Sequence, residues 1–136
     1  MDLSKTLKIS AAGMQAQNAR MRTIAENLAN ADSLADTPGA DPYRRKMLTF
    51  KTVLDRASGV ALVQPDKVIK DKSEFQKRFD PSHPGADADG YVMAPNVNSL
   101  IEAMDMRQAQ RSYEANLSVI EVAKSMLLRT IDILRG

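Results

Sequence analysis

Residues 99–136, SLIEAMDMRQAQRSYEANLSVIEVAKSMLLRTIDILRG, decide the fold. The stretch opens on Ser99-Leu100-Ile101-Glu102. This is a capping-box pattern, in which the Ser99 hydroxyl and the Glu102 carboxylate satisfy free N–H groups at a helix start. Nothing breaks the helix before Gly136. It therefore reads as one helix of about 36 residues, roughly 54 Å long, about three times the mean for globular proteins. Met106, Tyr113, Ile120, Leu127 and Leu134 recur every seven residues. Leu117 and Ile131 fill the alternate seam position, where Lys124 is an exception. A second stripe, Val119, Met126 and Ile133 with Val122 beside it, lies off that seam. One partner helix covers one stripe, so two stripes need two partners.

The chain offers one other long helix, at its N-terminus. Leu7, Met14, Met21 and Leu28 are spaced by seven, and Ser10, Gln17, Ile24 and Ala31 interleave. The expected intramolecular seam joins Leu7, Met14, Met21, Ile24 and Leu28 to Tyr113, Leu117, Ile120, Leu127, Ile131 and Leu134. From Ile9 to Ala19 there is no charge. Small uncharged residues on all sides suit approach by more than one helix. Ile9, Ala12, Gly13 and Ala16 are therefore expected at a subunit interface, together with Val119, Val122, Met126 and Ile133.

Between the helices the character changes. All six prolines lie from Pro38 to Pro95, with four of the six glycines. The boundaries are read as an N-terminal helix over 1–36, a turn-rich β lobe over 37–95 and a C-terminal long helix over 96–136. Strand candidates are Tyr43–Phe50, Val60–Val63, Val68–Lys70, Phe75–Phe79 and Tyr91–Met93, with a helical turn at Thr52–Ala57. The expected fold class is mainly α: long terminal helices paired as an antiparallel coiled-coil-like unit, with a small β-rich central lobe inserted between them.

Composition narrows the function. The 136 residues carry 19 Lys+Arg against 17 Asp+Glu, a net charge of +2. That is too balanced for a protein built on a strong basic field. Apolar residues make up 43%, too much for a wholly disordered chain. There is no cysteine and one histidine, His83. Disulfides, thiolate-bound metals and Cys nucleophiles are excluded, and His clusters are disfavoured. No apolar run has the length of a membrane span. The N-terminus lacks the apolar core and cleavage site of a secretory signal, which taken alone points to the cytoplasm.

Three constellations invite chemistry, and each reads better as a turn or a contact. Asp87-Ala88-Asp89-Gly90 resembles part of a calcium loop, but with Gly90 at the sixth position Gly85 and Asn96 fall where carboxylates are needed. Asp80-Pro81-Ser82-His83-Pro84 holds Asp, Ser and His too close in sequence to converge as a triad. Tyr43-Arg44-Arg45-Lys46 could touch phosphate, but it stands alone among acids; a solvated strand or a contact to an acidic neighbouring subunit suits it better. No phosphate-loop, dinucleotide, zinc-protease or serine-hydrolase pattern occurs. No cofactor, metal or catalytic residue is expected.

The ends and the middle together resemble a known family. Ile9-Ser10-Ala11-Ala12-Gly13-Met14-Gln15-Ala16-Gln17, followed by Ile24 to Ala31 with Asn27, Leu28 and Asn30, is similar to the N-terminal signature of bacterial flagellar axial proteins, the rod and hook group. Asp41-Pro42-Tyr43-Arg44-Arg45-Lys46 and the run from Asp80, Pro81, His83 and Pro84 through Gly90 and Tyr91 to Asn98 resemble its proximal-rod branch. Arg111-Ser112-Tyr113-Glu114-Ala115-Asn116 resembles the C-terminal segment. The Lys-rich stretch Asp71–Arg78 has no match in that pattern.

The resemblance implies a structural subunit of the rod, the driveshaft that crosses the periplasm, and no enzyme. It implies export through the flagellar type III apparatus without a cleaved signal, which replaces the cytoplasmic inference. It implies neighbours of the FlgB, FlgF and FlgG types, the basal-body protein FliE and copies of the same chain, with no nucleic acid and no membrane insertion. The competing reading from the residues is a cytoplasmic helical adaptor or export chaperone with an exposed apolar helix face.

Overall fold

The computed structural model describes residues 2–136. Its elements are α1 (Leu3–Ala29), β1 (Lys46–Asp55), β2 (Val60–Lys70), β3 (Gln76–Phe79), β4 (Tyr91–Ala94) and α2 (Ser99–Arg135). β1 pairs with β2 and β3 with β4, giving two separate two-stranded antiparallel sheets. Helices account for 47% of the chain and strands for 21%. The mainly-α expectation is corrected on this point: the fold is mixed α and β. The β part is larger than a small lobe because β1 and β2 are 10 and 11 residues long. Val60–Val63 and Val68–Lys70, expected as two strands, are one. Pro65 does not interrupt it, because each strand of a two-stranded ribbon is an edge and a missing N–H can face outward. Thr52–Asp55, expected in a helical turn, continues β1, and the chain reverses over 56–59.

The chain forms two compact units. One comprises Met1–Met21, Thr49–Lys67 and Arg107–Gly136; the other comprises Arg22–Leu48 and Val68–Met106.

In the first unit the two helices run antiparallel. Leu3 and Thr6 share a groove with Ser118, Val119, Val122, Ala123 and Met126. Gly13 lies against Asn116, and Arg20 donates to Gln108 at 3.1 Å. On α2 the most buried position of this unit's face is filled by Ala109 and Ala123, with Asn116 midway between them. Small side chains there let the helix axes approach. A Cβ on Gly13 would sit 2.9 Å from the Asn116 amide nitrogen, so a larger residue here would have to displace the Asn116 side chain. The ribbon end is tied to α1 by Lys8, which donates to Asp55 at 2.9 Å.

In the second unit the core is small and partly polar. Ile24, Ala35, Val92, Ala94 and Val97 are buried, and so are Asn27, Asn96 and Glu102. β3 and β4 pair in the register Gln76↔Ala94 to Phe79↔Tyr91. β4 is pinned to residue 35: Ala35 N–H donates to Met93 O at 3.2 Å. A Cβ on Gly85 would stand 2.0 Å from the Ala35 carbonyl oxygen, a backbone clash that no rotamer relieves.

The start of α2 differs from its expected cap. Asn98, not Ser99, is the cap, its Oδ1 accepting from Leu100 N–H at 3.1 Å and Ile101 N–H at 3.3 Å. Glu102 is thereby released from capping and turns inward.

Candidate functional site

Two features stand out: a buried polar cluster in the second unit, and exposed apolar helix faces on the first.

The cluster is built from α1, the start of β1, the 71–73 segment and the start of α2. Asn27 holds three of its parts. Its Oδ1 accepts from the Tyr43 hydroxyl at 2.8 Å and from Lys46 N–H at 2.9 Å. Its Nδ2 donates to Lys46 O at 2.8 Å and to Glu102 at 3.4 Å. Arg45 pairs with Glu102 through a short contact and with Asp71 at 3.3 Å. Asn96 Oδ1 accepts from Arg45 N–H at 2.7 Å, while its Nδ2 donates to Asp71 O, Ser73 O and Ser73 Oγ. Nearly every polar atom in this core thus has a partner, which is the condition for burying such groups without a large penalty.

Electrostatics follow from the packing. Burial disfavours charge on Arg45, but the hydrogen bond and charge of Glu102, with those of Asp71, outweigh it and raise the guanidinium above its ordinary value. The Ser73 backbone N–H is the main influence holding the Asp71 carboxyl below its usual range, with the Ser73 hydroxyl and Arg45 adding to it against burial. Burial, together with the negative charges of Glu26 and Glu102, pushes the Tyr43 hydroxyl up, against the opposing charge of Lys46. These are the signs of a structural cluster of fixed charge.

The residues singled out in the sequence separate. Asn27, Tyr43 and Arg45 of the family motif converge in the cluster. Arg44 points elsewhere, stacked 4.1 Å above the Phe75 ring. Leu28 is half-buried, and Asn30 closes the end of α1 through Glu26 O and Ser33. Asp80, Pro81, His83 and Pro84 form a turn in which His83 Nδ1 accepts from Gly85 N–H at 2.9 Å and Ser82 donates to Asp80 at 2.7 Å. Gly90 and Tyr91 lead into β4, and the Tyr91 ring meets Phe79 edge-on at 5.3 Å.

On the helices, Ile24 is buried, and Leu7, Met14, Met21, Tyr113, Ile120 and Leu127 are half-buried. Leu117, Ile131 and Leu134 are exposed, Leu134 by 82%. The seam turns one residue away from Leu117, onto Asn116. Of the expected interface, Gly13 lies against the chain's own Asn116 and Ala16 is 1% exposed; both are taken up by internal packing. Ala12 is half-buried. Ile9, Val119, Val122, Met126 and Ile133 are exposed. Val119, Val122 and Met126 line the groove of about 320 Å³ beside Leu3 and Thr6. A second groove of about 340 Å³ runs past Ala11, Met14, Tyr113 and Ile120.

Sequence reasoning missed Glu102 and Asn96 as core groups, because a carboxylate four residues into a helix reads as a cap. It also missed Ala109, Asn116 and Ala123, because a search for large apolar residues passes over small ones. Among the described residues no helix is long and apolar enough to cross a membrane, and no group of three or more His, Cys, Asp or Glu could hold a metal ion.

Of the eight exposed large apolar residues on α2 from Leu117 onward, all but Leu134 fall in the part matched by a family model. Residues 88–133 match the model of the flagellar basal body rod FlgEFG protein C-terminal region. Over 134 residues the chain is 50% identical to the flagellar basal-body rod protein FlgC of Agrobacterium fabrum, covering 98% of this chain and 96% of that protein. The chain belongs to the FlgC family of flagellar basal-body rod proteins. The FlgC of Salmonella typhimurium is 38% identical, with 98% of each chain covered. That of Bacillus subtilis is 37% identical over 143 residues, covering 94% of this chain and 95% of the relative. FlgC proteins are structural components of the rod, and this chain is one of them. The adaptor or chaperone reading is not favoured.

Proposed function

We propose that this FlgC-family subunit is a proximal-rod component that assembles through its exposed helix faces. In this reading its neighbours are subunits of the FlgB, FlgF and FlgG types, the basal-body protein FliE and further copies of itself. The observation that carries the reading is the overhang of α2 in the first unit. Leu3 is level with Val119–Met126, yet α2 continues to Arg135. Leu128, Ile131, Ile133 and Leu134 in that overhang are all exposed. A single helix with apolar residues on several sides is covered only by other chains.

Torque would then pass through many packed helix contacts in parallel, with stiffness arising from close packing. Transit through the flagellar type III apparatus, without a cleaved signal, would bring the chain to the periplasm. The absence of cysteine suits an unfolded passage into an oxidising compartment.

Fractionation of motile cells tests the reading. The chain should copurify with detergent-extracted basal bodies, and its deletion should leave cells without rods. Recovery only in the cytosol, or complete rods in the deletion strain, would reject it.

A further inference from the structure

The basic run Tyr43-Arg44-Arg45-Lys46 builds more than the polar cluster. In the second unit Arg44, Lys46 and Lys70 line a surface pocket of about 290 Å³, walled by the Tyr43 and Phe75 rings, with Asp41 as the single lining acid. Its parts are held from behind. Arg44 donates to the carbonyls of Asp71 at 2.7 Å and Ser73 at 3.1 Å while stacking on Phe75. Tyr43 is fixed by Asn27. Lys46 already pairs with Glu26, but Lys70 has no ion pair among the described residues. A rigid guanidinium beside a free ammonium is suited to a carboxylate.

The same unit carries such a carboxylate on an exposed turn. Asp87 Oδ1 accepts from the N–H groups of Asp89 and Tyr91, each at 2.9 Å, and Gly90 N–H donates to Asp87 O. The turn is therefore closed on itself. Asp89 is exposed at its tip, and its carboxylate makes no hydrogen bond or ion pair among the described residues. We propose that the Asp89 turn of one copy docks in the Arg44–Lys70 pocket of the next. Pocket and turn are different surfaces, so the contact is head-to-tail and links successive copies, closing into a ring or running on as a helix according to the rotation between them. This deepens the rod reading and rests on it. A nucleic acid or lipid surface fits less well. Those partners need a track of free cations, and here Arg45 and Arg78 are taken by Glu102, Asp71 and Asp32.

The chain has no cysteine, which permits a clean cross-linking test in cells whose basal bodies contain the unmodified chain. A Lys70→Cys, Asp89→Cys double variant should give a disulfide-linked ladder of this chain in purified basal bodies, whereas either single variant gives none. Lys70→Glu and Asp89→Lys should each reduce swimming, and the two together should restore it. Basal bodies that contain the double-cysteine chain without a ladder, a cross-link from Lys70→Cys to a different protein, or a charge swap no better than its worse single variant would overturn the proposal. Absence of the unmodified chain from basal bodies would instead reject the rod reading itself.

Discussion

The guanidinium of Arg45 closes over the carboxylate of Glu102, whose side chain is 1% exposed while that of Arg45 is 20% exposed. The two halves of the pair are therefore not equivalent. Removing the arginine strands a deeply buried charge. Removing the carboxylate leaves an arginine that still has Asp71 and some access to water.

Arg45→Ala should thus destabilise the chain more than Glu102→Ala. Loss of one partner of a buried pair costs about 3–5 kcal/mol, and Glu102→Ala should fall at or below the low end. The double variant should cost less than the sum of the two, because no lone charge remains. Urea denaturation of the purified chain measures all three. Equal costs for the two single variants would show that the asymmetry of burial has no energetic consequence.

Asn116 and Gly13 set the closeness of the helices in the first unit. Gly13→Ala gains helix propensity of about 0.5–1 kcal/mol, but its Cβ meets the Asn116 side chain at 2.9–3.1 Å. Asn116 also donates to Ser112 O at 2.9 Å, which holds it in place. We expect Gly13→Ala alone to be neutral or destabilising. Combined with Asn116→Ala it should be more stable than Asn116→Ala alone. Thermal melts of the three variants check this, and additive effects would place the crowding elsewhere.

These two sites show what was legible in the sequence. The heptads located both helices, because large apolar residues repeating every seven residues leave few alternatives; Leu7, Met14, Met21, Tyr113, Ile120 and Leu127 are half-buried on them. The other half of the α2 seam was hidden. Ala109, Asn116 and Ala123 pack by being small, which a count of large apolar residues does not register, so Leu117 drew the assignment one residue away. Glu102 was hidden for a different reason. Its place near the α2 start satisfies a capping pattern, and only the approach of Arg45, the residue before β1, gives it a stronger partner. The β ribbon was under-read because Pro65 divides the apolar pattern of a strand that tolerates it at an edge.

Asp55 provides a pH test in the first unit. The Ser58 hydroxyl is the main cause, ahead of the Lys8 ammonium, of a carboxyl lowered from 3.8 to about 2. A depressed carboxyl adds stability that is fully present above its unfolded value and is lost as pH falls through its folded value. The Asp55 contribution should therefore hold above about pH 4 and fade towards pH 2. NMR titration of the Asp55 carboxyl carbon reads the midpoint directly. Ser58→Ala should raise that midpoint more than Lys8→Met does, and the opposite order would make the ion pair the dominant influence.

Two neighbouring positions on α2 separate internal packing from assembly. Ala123 and Met126 are three residues apart on α2 and both line the groove beside Leu3, yet Ala123 is 2% exposed and Met126 51%. A charge at Ala123 has no room and no partner, so Ala123→Asp should unfold the first unit in the isolated chain. Met126→Lys places its ammonium in water and should change the melting behaviour little, within about 0.5 kcal/mol. In an assembled rod the comparison reverses for Met126. If a neighbour covers the groove, the lysine becomes a desolvated charge without a partner, and rods should fail to form although the chain is folded. Melting temperature and electron microscopy of basal bodies, taken together on both variants, decide the matter. A destabilised Met126→Lys chain would mean that this face serves the chain's own fold. Normal rods carrying the lysine would mean that no neighbour sits on the groove.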